Sequence, residues 1–468
     1  FVAATNEFAE SNSYMEQSDI TNLSRKSLSS TQPTTPTASS KDLGSTYVSN
    51  YNNMSASGFD VNTNTELGNV DGSKAYDNSE VTVADSGYTL SNLRGKNYYD
   101  SEWDTLLNQV DYTDSTVQGQ LATMLYYGAY NTAVLDAVGK VSTKDYDGPA
   151  GFSSFMDKSS NFLMNAYCSE VIIASTWNKD LAKEMGSSVG QEAITYGISG
   201  WYAPGMDTHR TAFGGRNFEY YSEDGVLAGK ISANVVSGSA NEGCYAYIKH
   251  FAMNEQETHR MLGSMWANEQ AIRETYLKPF EICVKEARGT LNYTSDSKGT
   301  KSSKVIRGCS AVMTSFTMIG TTMCSSDYSL TNSVLRDEWG FEGMVITDFG
   351  PAVNHDAMLR AGNDFLLNAS WTGTPASIDF FADYTSNTAK HVFRQAIKNM
   401  CYTVVNSNAY NGIAPGSTSY RDIAPWRILV GCIAGVLYAG AAVGTGFTTY
   451  YFVDEKKNPG RHKTKLAK

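Results

Sequence analysis

The chain has 468 residues, 41% of them hydrophobic, and a formal net charge of −11, with a pI near 5.1. That length can bury a full core in one large domain or two. The acidic balance excludes a nucleic-acid binder, which needs a broad basic face to neutralise phosphates. Seven cysteines without a CxxC pair argue against a disulfide framework, and six histidines without an HExxH pattern give no zinc signature, so neither metal nor cofactor is expected.

Residues 1–97 read as an irregular interdomain segment. Ser, Thr, Asn, Asp and Gly dominate it, prolines punctuate 31–36, and its apolar surface is too small to fold alone. The sequence opens at Phe1 rather than Met, which reads as a truncation or processing point. From 98 to 425 short apolar runs alternate with helical patterns. Strands are expected at 170–175, 200–203, 245–249, 311–315 and 344–347, and helices at 181–196, 225–236, 268–287 and 329–339. Such alternation predicts an α/β domain with a parallel sheet, and its length predicts closure into a (β/α)8 TIM-like barrel.

Residues 426–453 predict a single transmembrane helix. About 25 residues from Ile428 to Val453 carry no charge, enough to cross a hydrocarbon core. Trp426 and Arg427 flank one side, Tyr450 and Tyr451 the other. Residues 454–468 form a basic tail, which the positive-inside rule places in the cytoplasm with the barrel outside the cell.

Chemistry gathers at the ends of the expected strands. Lys249 and His250 close one of them and open the run Lys249-His250-Phe251-Ala252-Met253-Asn254-Glu255-Gln256-Glu257-Thr258-His259-Arg260. Asp147 lies in Asp147-Gly148-Pro149-Ala150-Gly151, Arg216 in Gly214-Gly215-Arg216-Asn217-Phe218-Glu219, and Asp348 ends Met344-Val345-Ile346-Thr347-Asp348. In a barrel these ends converge on one face. A strand-end carboxylate among Arg, Lys, His and a second carboxylate suits a polyhydroxylated substrate, whose acetal is cleaved with retention by a nucleophilic carboxylate beside a proton donor. The blander readings are structural. Asp348 caps a helix, Asp147 serves a turn, Arg216 pairs with Glu219, Lys249 and His250 form a satisfied buried pair, and Glu257 with Arg260 is a local helical ion pair. Glu223 and Asp224 read as a helix N-terminus.

These motifs, in this order, together with Tyr221-Ser222-Glu223-Asp224, Leu335-Arg336-Asp337-Glu338-Trp339-Gly340-Phe341-Glu342-Gly343 and Ala361-Gly362-Asn363-Asp364, make residues from about 100 to 370 resemble the barrel domain of glycoside hydrolase family 3. This is the β-glucosidase and β-xylosidase group. The resemblance implies a retaining exo-β-glycosidase with Asp348 as the nucleophile. It implies sugar-hydroxyl contacts from Asp147, Arg216, Lys249 and His250, with Met313, Phe316 and Phe349 lining the pocket. The cations should also hold the Asp348 pKa low.

Phe316 replaces the Tyr that touches the nucleophile in the family, and Phe349 replaces a Trp or Tyr. The family's general acid, a Glu on an α/β sandwich domain, has no counterpart after residue 367. In permuted bacterial members the sandwich precedes the barrel, and residues 8–36 resemble the connection between them. The sandwich is therefore expected upstream or from another chain. The expected substrate is an oligosaccharide or β-glucoside, with β-xylosides as the alternative. The branch acting on N-acetylglucosaminides is disfavoured, because Asn254-Glu255-Gln256-Glu257 does not match its loop. Two other functions fit the barrel: a non-catalytic carbohydrate-binding surface protein, motivated by Phe316, Phe349 and the absent sandwich, and a Schiff-base aldolase on Lys249, which leaves Asp147 and Asp348 idle.

Overall fold

The computed structural model describes residues 7–17, 45, 77–153, 164–261, 263–350, 355–369, 386–417 and 425–461. Most of the expected irregular segment and the tail beyond 461 lie outside the described residues. The chain divides into two compact units, Phe1–Thr418 and Ser419–Lys468.

In chain order the first unit contains α1 (Ala9–Gln17), α2 (Ser115–Tyr126), β1 (Asn131–Thr132), β2 (Thr143–Asp147), α3 (Glu170–Ser175), α4 (Lys179–Tyr196), β3 (Gly200–Tyr202), α5 (Gly225–Asn241) and β4 (Tyr245–Phe251). There follow β5 (Ser264–Met265), α6 (Lys278–Glu286), the hairpin β6 (Arg288–Thr294) and β7 (Lys301–Arg307), and β8 (Ala311–Thr314). The unit continues through β9 (Met318–Ile319), β10 (Thr322–Met323), β11 (Met344–Phe349), β12 (Phe365–Leu367) and α7 (Asn387–Val405).

Seven strands form one curled sheet in the order β1-β2-β3-β4-β8-β11-β12. β1 pairs antiparallel with β2, and every later pairing is parallel. Just before β1, Gly128 N–H donates to the Leu366 carbonyl at 2.9 Å and Ala129 N–H to that of Asn368 at 3.0 Å, so backbone bonds link the two edges. Seven strands and an antiparallel first member distinguish this sheet from the eight-stranded parallel barrel expected.

Alternation along each strand divides the core. Trp201, Ile248, Val312 and Val345 join the helices α4 and α5 in one apolar cluster. Their neighbours Tyr202, Tyr247, Met313 and Ile346 point into a second cluster, shared with α2 and α7. Burial on both faces explains why these strands read as continuous apolar runs.

Helix ends follow local chemistry. The Asn178 side chain accepts from Asp180 N–H and Leu181 N–H to start α4, and Asp224 does the same for α5 through Val226 and Leu227. The acidic N-terminus expected at 223–224 is thus found.

One expected strand is a helix. Residues 170–175 form α3, in which Glu170, Ile173 and Ala174 are buried while Ile172 is exposed, a spacing of three and four rather than two. Their place in the sheet is taken by β2, whose Asp145 is buried by hydrogen bonds from the Tyr245 and Tyr247 hydroxyls at 2.6 and 2.7 Å.

Helix α1 packs beside β5, β9 and β10. Phe8 is buried, Ser11 exchanges hydrogen bonds with Ala267, and Glu10 accepts from the Thr321 amide at 2.8 Å and hydroxyl at 2.7 Å. In the second unit a single helix, α8 (Pro425–Lys457), contains the one stretch among the described residues that is long and apolar enough to cross a membrane, Leu429–Lys457, with mean hydropathy 1.7.

Candidate active site

Parallel strands deliver their C-terminal ends to one side of the sheet, and the expected site residues lie at those ends. Asp147 ends β2, Lys249 and His250 lie near the C-terminal end of β4, and Asp348 lies near that of β11. Arg216 is brought in by the long connection after β3, where Gly205 bridges to Lys249. In the turn after Asp147, Gly148 has φ +113 and a Cβ there would collide with the Gly151 carbonyl, so only glycine folds this loop back under the aspartate.

Three of the five polar residues, Asp147, Lys249 and Arg216, form one cluster linked through Glu219, and His250 and Asp348 form a facing pair. Lys249 Nζ donates to Asp147 Oδ1 at 3.0 Å and lies 3.8 Å from Glu219 Oε2. Arg216 donates through Nε to the same Glu219 and lies 3.8 Å from Glu257. His250 Nε2 faces Asp348 Oδ2 at 3.6 Å. Asp348 Oδ1 accepts from the Phe349 amide at 2.6 Å, whereas Oδ2 is buried without a hydrogen-bond partner. The Asp147 side chain is 41% exposed and that of Lys249 only 4%, so the aspartate presents itself outward and the lysine supports it from behind.

Charge states follow from these contacts. Burial opposes ionisation of Asp147, but the Lys249 ammonium and the Gly148 amide more than offset it and hold the carboxyl below its usual range. Burial also opposes the charge on Lys249, which Asp147 and Glu219 nevertheless keep above the ordinary lysine value. A Schiff-base lysine needs the reverse, so the aldolase reading loses its chemical basis. His250 is driven well below its ordinary value by burial and then by Arg216, Lys249 and Arg260, leaving a neutral imidazole. Asp348 corrects an expectation: its pKa is raised, because burial outweighs the Phe349 amide and the cations Arg216, Lys249 and Arg260.

The expected pocket-lining residues divide. The Phe316 ring lies under the Arg260 guanidinium at 4.7 Å, and Phe349 is half-buried next to Asp348. Met313 is buried in the inner apolar cluster. Glu257 pairs with Arg260 at 2.9 Å, the local ion pair expected, but in the connection between β4 and β5 rather than on a helix, and it also approaches Arg216.

Sequence reasoning missed two supporting groups. Asp207, fully buried, accepts from the backbone amides of His250 and Asn254 at 2.8 and 2.9 Å. Glu170, also buried, is pushed far above its ordinary pKa by burial. An acid in Gly205-Met206-Asp207, shortly after an expected strand, was the available signal for the first; nothing in the apolar run around Glu170 pointed inward. Among the described residues no group of three or more His, Cys, Asp or Glu side chains is arranged to hold a metal.

Residues 164–292 match the model of the glycosyl hydrolase family 3 N-terminal domain. The chain is similar to that domain over those residues. Its relatives include β-glucosidase A of Butyrivibrio fibrisolvens, 36% identical over 238 residues, which are 51% of this chain and 26% of that one. β-Glucosidase B of Emericella nidulans is 37% identical over 223 residues, 47% of this chain and 24% of that one. The structure of β-glucosidase 3B from Thermotoga neapolitana in complex with glucose superposes with a TM-score of 0.54 at 27% identity, covering 68% of this chain and 45% of that one. The chain thus spans about a quarter of the length of these curated relatives.

Proposed function

We propose that this chain is the nucleophile-bearing part of a retaining exo-β-glycosidase that removes terminal β-D-glucosyl residues. One observation carries the reading: the buried, unpartnered Oδ2 of Asp348 faces the His250 imidazole, beside cations that share carboxylates with Asp147. That oxygen bonds to the anomeric carbon as the glycosidic bond breaks. The leaving oxygen takes the bonding electron pair and a proton from a general acid, and water later cleaves the glycosyl ester. Asp147, Arg216 and Lys249 bind sugar hydroxyls, and Phe316 and Phe349 bound the pocket.

The general acid comes from an α/β sandwich domain, upstream or on another chain, as in the permuted membrane-anchored members. Lys249 holds the Asp147 carboxyl below its usual range, which makes it a poor proton donor, while Glu219 and Glu257 are taken up in ion pairs with Arg216 and Arg260. The curled sheet serves as a TIM-like barrel closed through residues 128–129. Helix α8 crosses the membrane with the catalytic unit outside the cell.

A 2-deoxy-2-fluoroglucoside with a dinitrophenolate leaving group needs no general acid, and so isolates the first step. Wild-type chain is expected to gain one fluoroglucosyl mass on the peptide containing Asp348, and Asp348→Ala none. Sugar binding without any adduct would instead establish the carbohydrate-binding alternative, which Phe316 favours because it offers no phenol to the nucleophile.

A further inference from the structure

We propose that Asp207 is a positioning residue that fixes the His250 imidazole with its Nε2 proton on Asp348, so that this imidazole orients the nucleophile where Phe316 offers no phenol. The inference rests on Asp348 being the nucleophile and goes beyond it, since neither Asp207 nor this use of His250 belongs to sugar binding.

The argument is a proton inventory. Asp207 Oδ2 accepts from His250 N–H at 2.8 Å and Oδ1 from Asn254 N–H at 2.9 Å, so one carboxylate closes the turn 250–254 at both ends. Asn254 Nδ2 lies 3.4 Å from the Tyr220 hydroxyl, which lies 3.1 Å from His250 Nδ1. An amide N–H can only donate, so the hydroxyl receives from Asn254 and directs its own proton to Nδ1. Nδ1 is then an acceptor, and in a neutral imidazole the proton resides on Nε2. Nε2 faces Asp348 Oδ2 at 3.6 Å, the one buried oxygen of that carboxylate without a partner. Binding of the sugar can shorten this approach, as catalytic contacts do.

Asp207 also lies 3.6 Å from Nδ1, and that nitrogen must stay unprotonated for the arrangement to hold. Each Asp207 oxygen already accepts one backbone amide, and at 3.6 Å Oδ2 is beyond hydrogen-bond range of Nδ1, whereas the Tyr220 hydroxyl lies at 3.1 Å. Burial raises Asp207 to about 7, which lessens its pull on an Nδ1 proton. Asp348 faces Nε2, and the cations Arg216, Lys249 and Arg260, with burial, all disfavour imidazolium.

The full chain in detergent, labelled with 15N only at histidine, reads the tautomer directly, and His250→Gln identifies the signals among six imidazoles. The expected spectrum at about pH 7 shows protonated Nε2 and bare Nδ1 for His250. Asp207→Asn is expected to mix the tautomers. It should also cut the first-order rate of fluoroglucoside labelling by about 10–100-fold, with inhibitor affinity within about threefold, because Asp207 touches no sugar. Should Asp207→Asn fail to give a cooperative melt, Tyr220→Phe tests the same line: it removes the donor to Nδ1 and is expected to slow labelling about 3–10-fold with mixed tautomers. An Nδ1–H tautomer in the wild type overturns the proposal. So does an Asp207→Asn chain that labels at the wild-type rate, or one that loses affinity alone. A wild type with the Nε2–H tautomer that never labels removes the glycosidase reading and leaves the proton placement standing.

Discussion

Asp147 and Asp348 are both carboxylates at strand ends, yet their surroundings drive them in opposite directions. Asp147 hydrogen-bonds Lys249 and is held below the usual range, while burial of Asp348 dominates and raises it. The two roles should therefore separate with pH. As pH falls, Asp348 is protonated first, at a value above its ordinary 3.8, so the labelling rate constant drops while affinity persists. Only below that ordinary value does Asp147 lose its charge, and with it both sugar affinity and its contribution to stability. For a depressed carboxyl that contribution is fully present above the unfolded pKa and disappears as pH falls through the folded one. Fluoroglucoside labelling followed from about pH 7 to pH 3 should show the rate term failing before the affinity term, a reversal of order refuting the assignment. At neutral pH, Asp147→Asn removes a charged acceptor worth about 1.5–3 kcal/mol. It should weaken glucose binding about 10–100-fold by calorimetry and leave the labelling rate at saturation within a fewfold.

Helices α4 and α5 approach each other through glycine. A Cβ on Gly186 would collide with the Val235 carbonyl, and one on Gly238 with the Lys183 carbonyl. Backbone oxygens cannot rotate away as side chains can, so Gly238→Ala must push the helices apart. That overpacking should cost about 1–3 kcal/mol or more, measured as a lowered urea midpoint with an unchanged slope. An unaltered midpoint would mean that the pair yields without strain. No signal in the sequence marked this contact, because glycines inside a helical pattern look like flaws until the partner is known. The runs around Trp201, Ile248, Val312 and Val345 were legible as strands, because sheets buried on both faces leave a continuous apolar trace. β2 escaped notice for the opposite reason: Thr143-Lys144-Asp145-Tyr146-Asp147 is polar, and its Asp145 is accommodated by tyrosines a hundred positions away. Residues 170–175 misled because six apolar-rich residues fit either period, and burial of Glu170 with Ile173 and Ala174 was decided by tertiary packing. The site was more legible than the sheet that holds it. Asp147, Arg216, Lys249, His250 and Asp348 stand in motifs, whereas Asp207 reveals its part only through backbone amides that fold toward it.

The second unit carries a physical demand of its own. Leu429, Val430, Ile433, Val436, Leu437 and Phe447 of α8 are all more than half exposed, an apolar surface on every side that water does not tolerate over such a length. At 1.5 Å per residue, the 33 residues of α8 extend about 50 Å, and the uncharged portion, about 39 Å, matches a hydrocarbon core of about 30 Å with tilt. Trp426 at one end and Tyr450 and Tyr451 at the other suit the two interfaces, with Lys456 and Lys457 just beyond. On the proposed membrane-spanning reading, the chain should stay in the membrane pellet through alkaline carbonate washing. Replacing Leu437 and Ala441 together by arginine puts two charges near the middle of the span, each opposed by about 2.5–3.5 kcal/mol, and should move most of the protein to the supernatant. The same positions changed to valine keep the helix apolar and should keep it in the pellet. Release of the wild type by carbonate, or retention of the double arginine variant, would show that α8 is covered by protein rather than lipid. In either case the tautomer of His250 is expected to be unchanged, since none of the groups that set it lies in this helix.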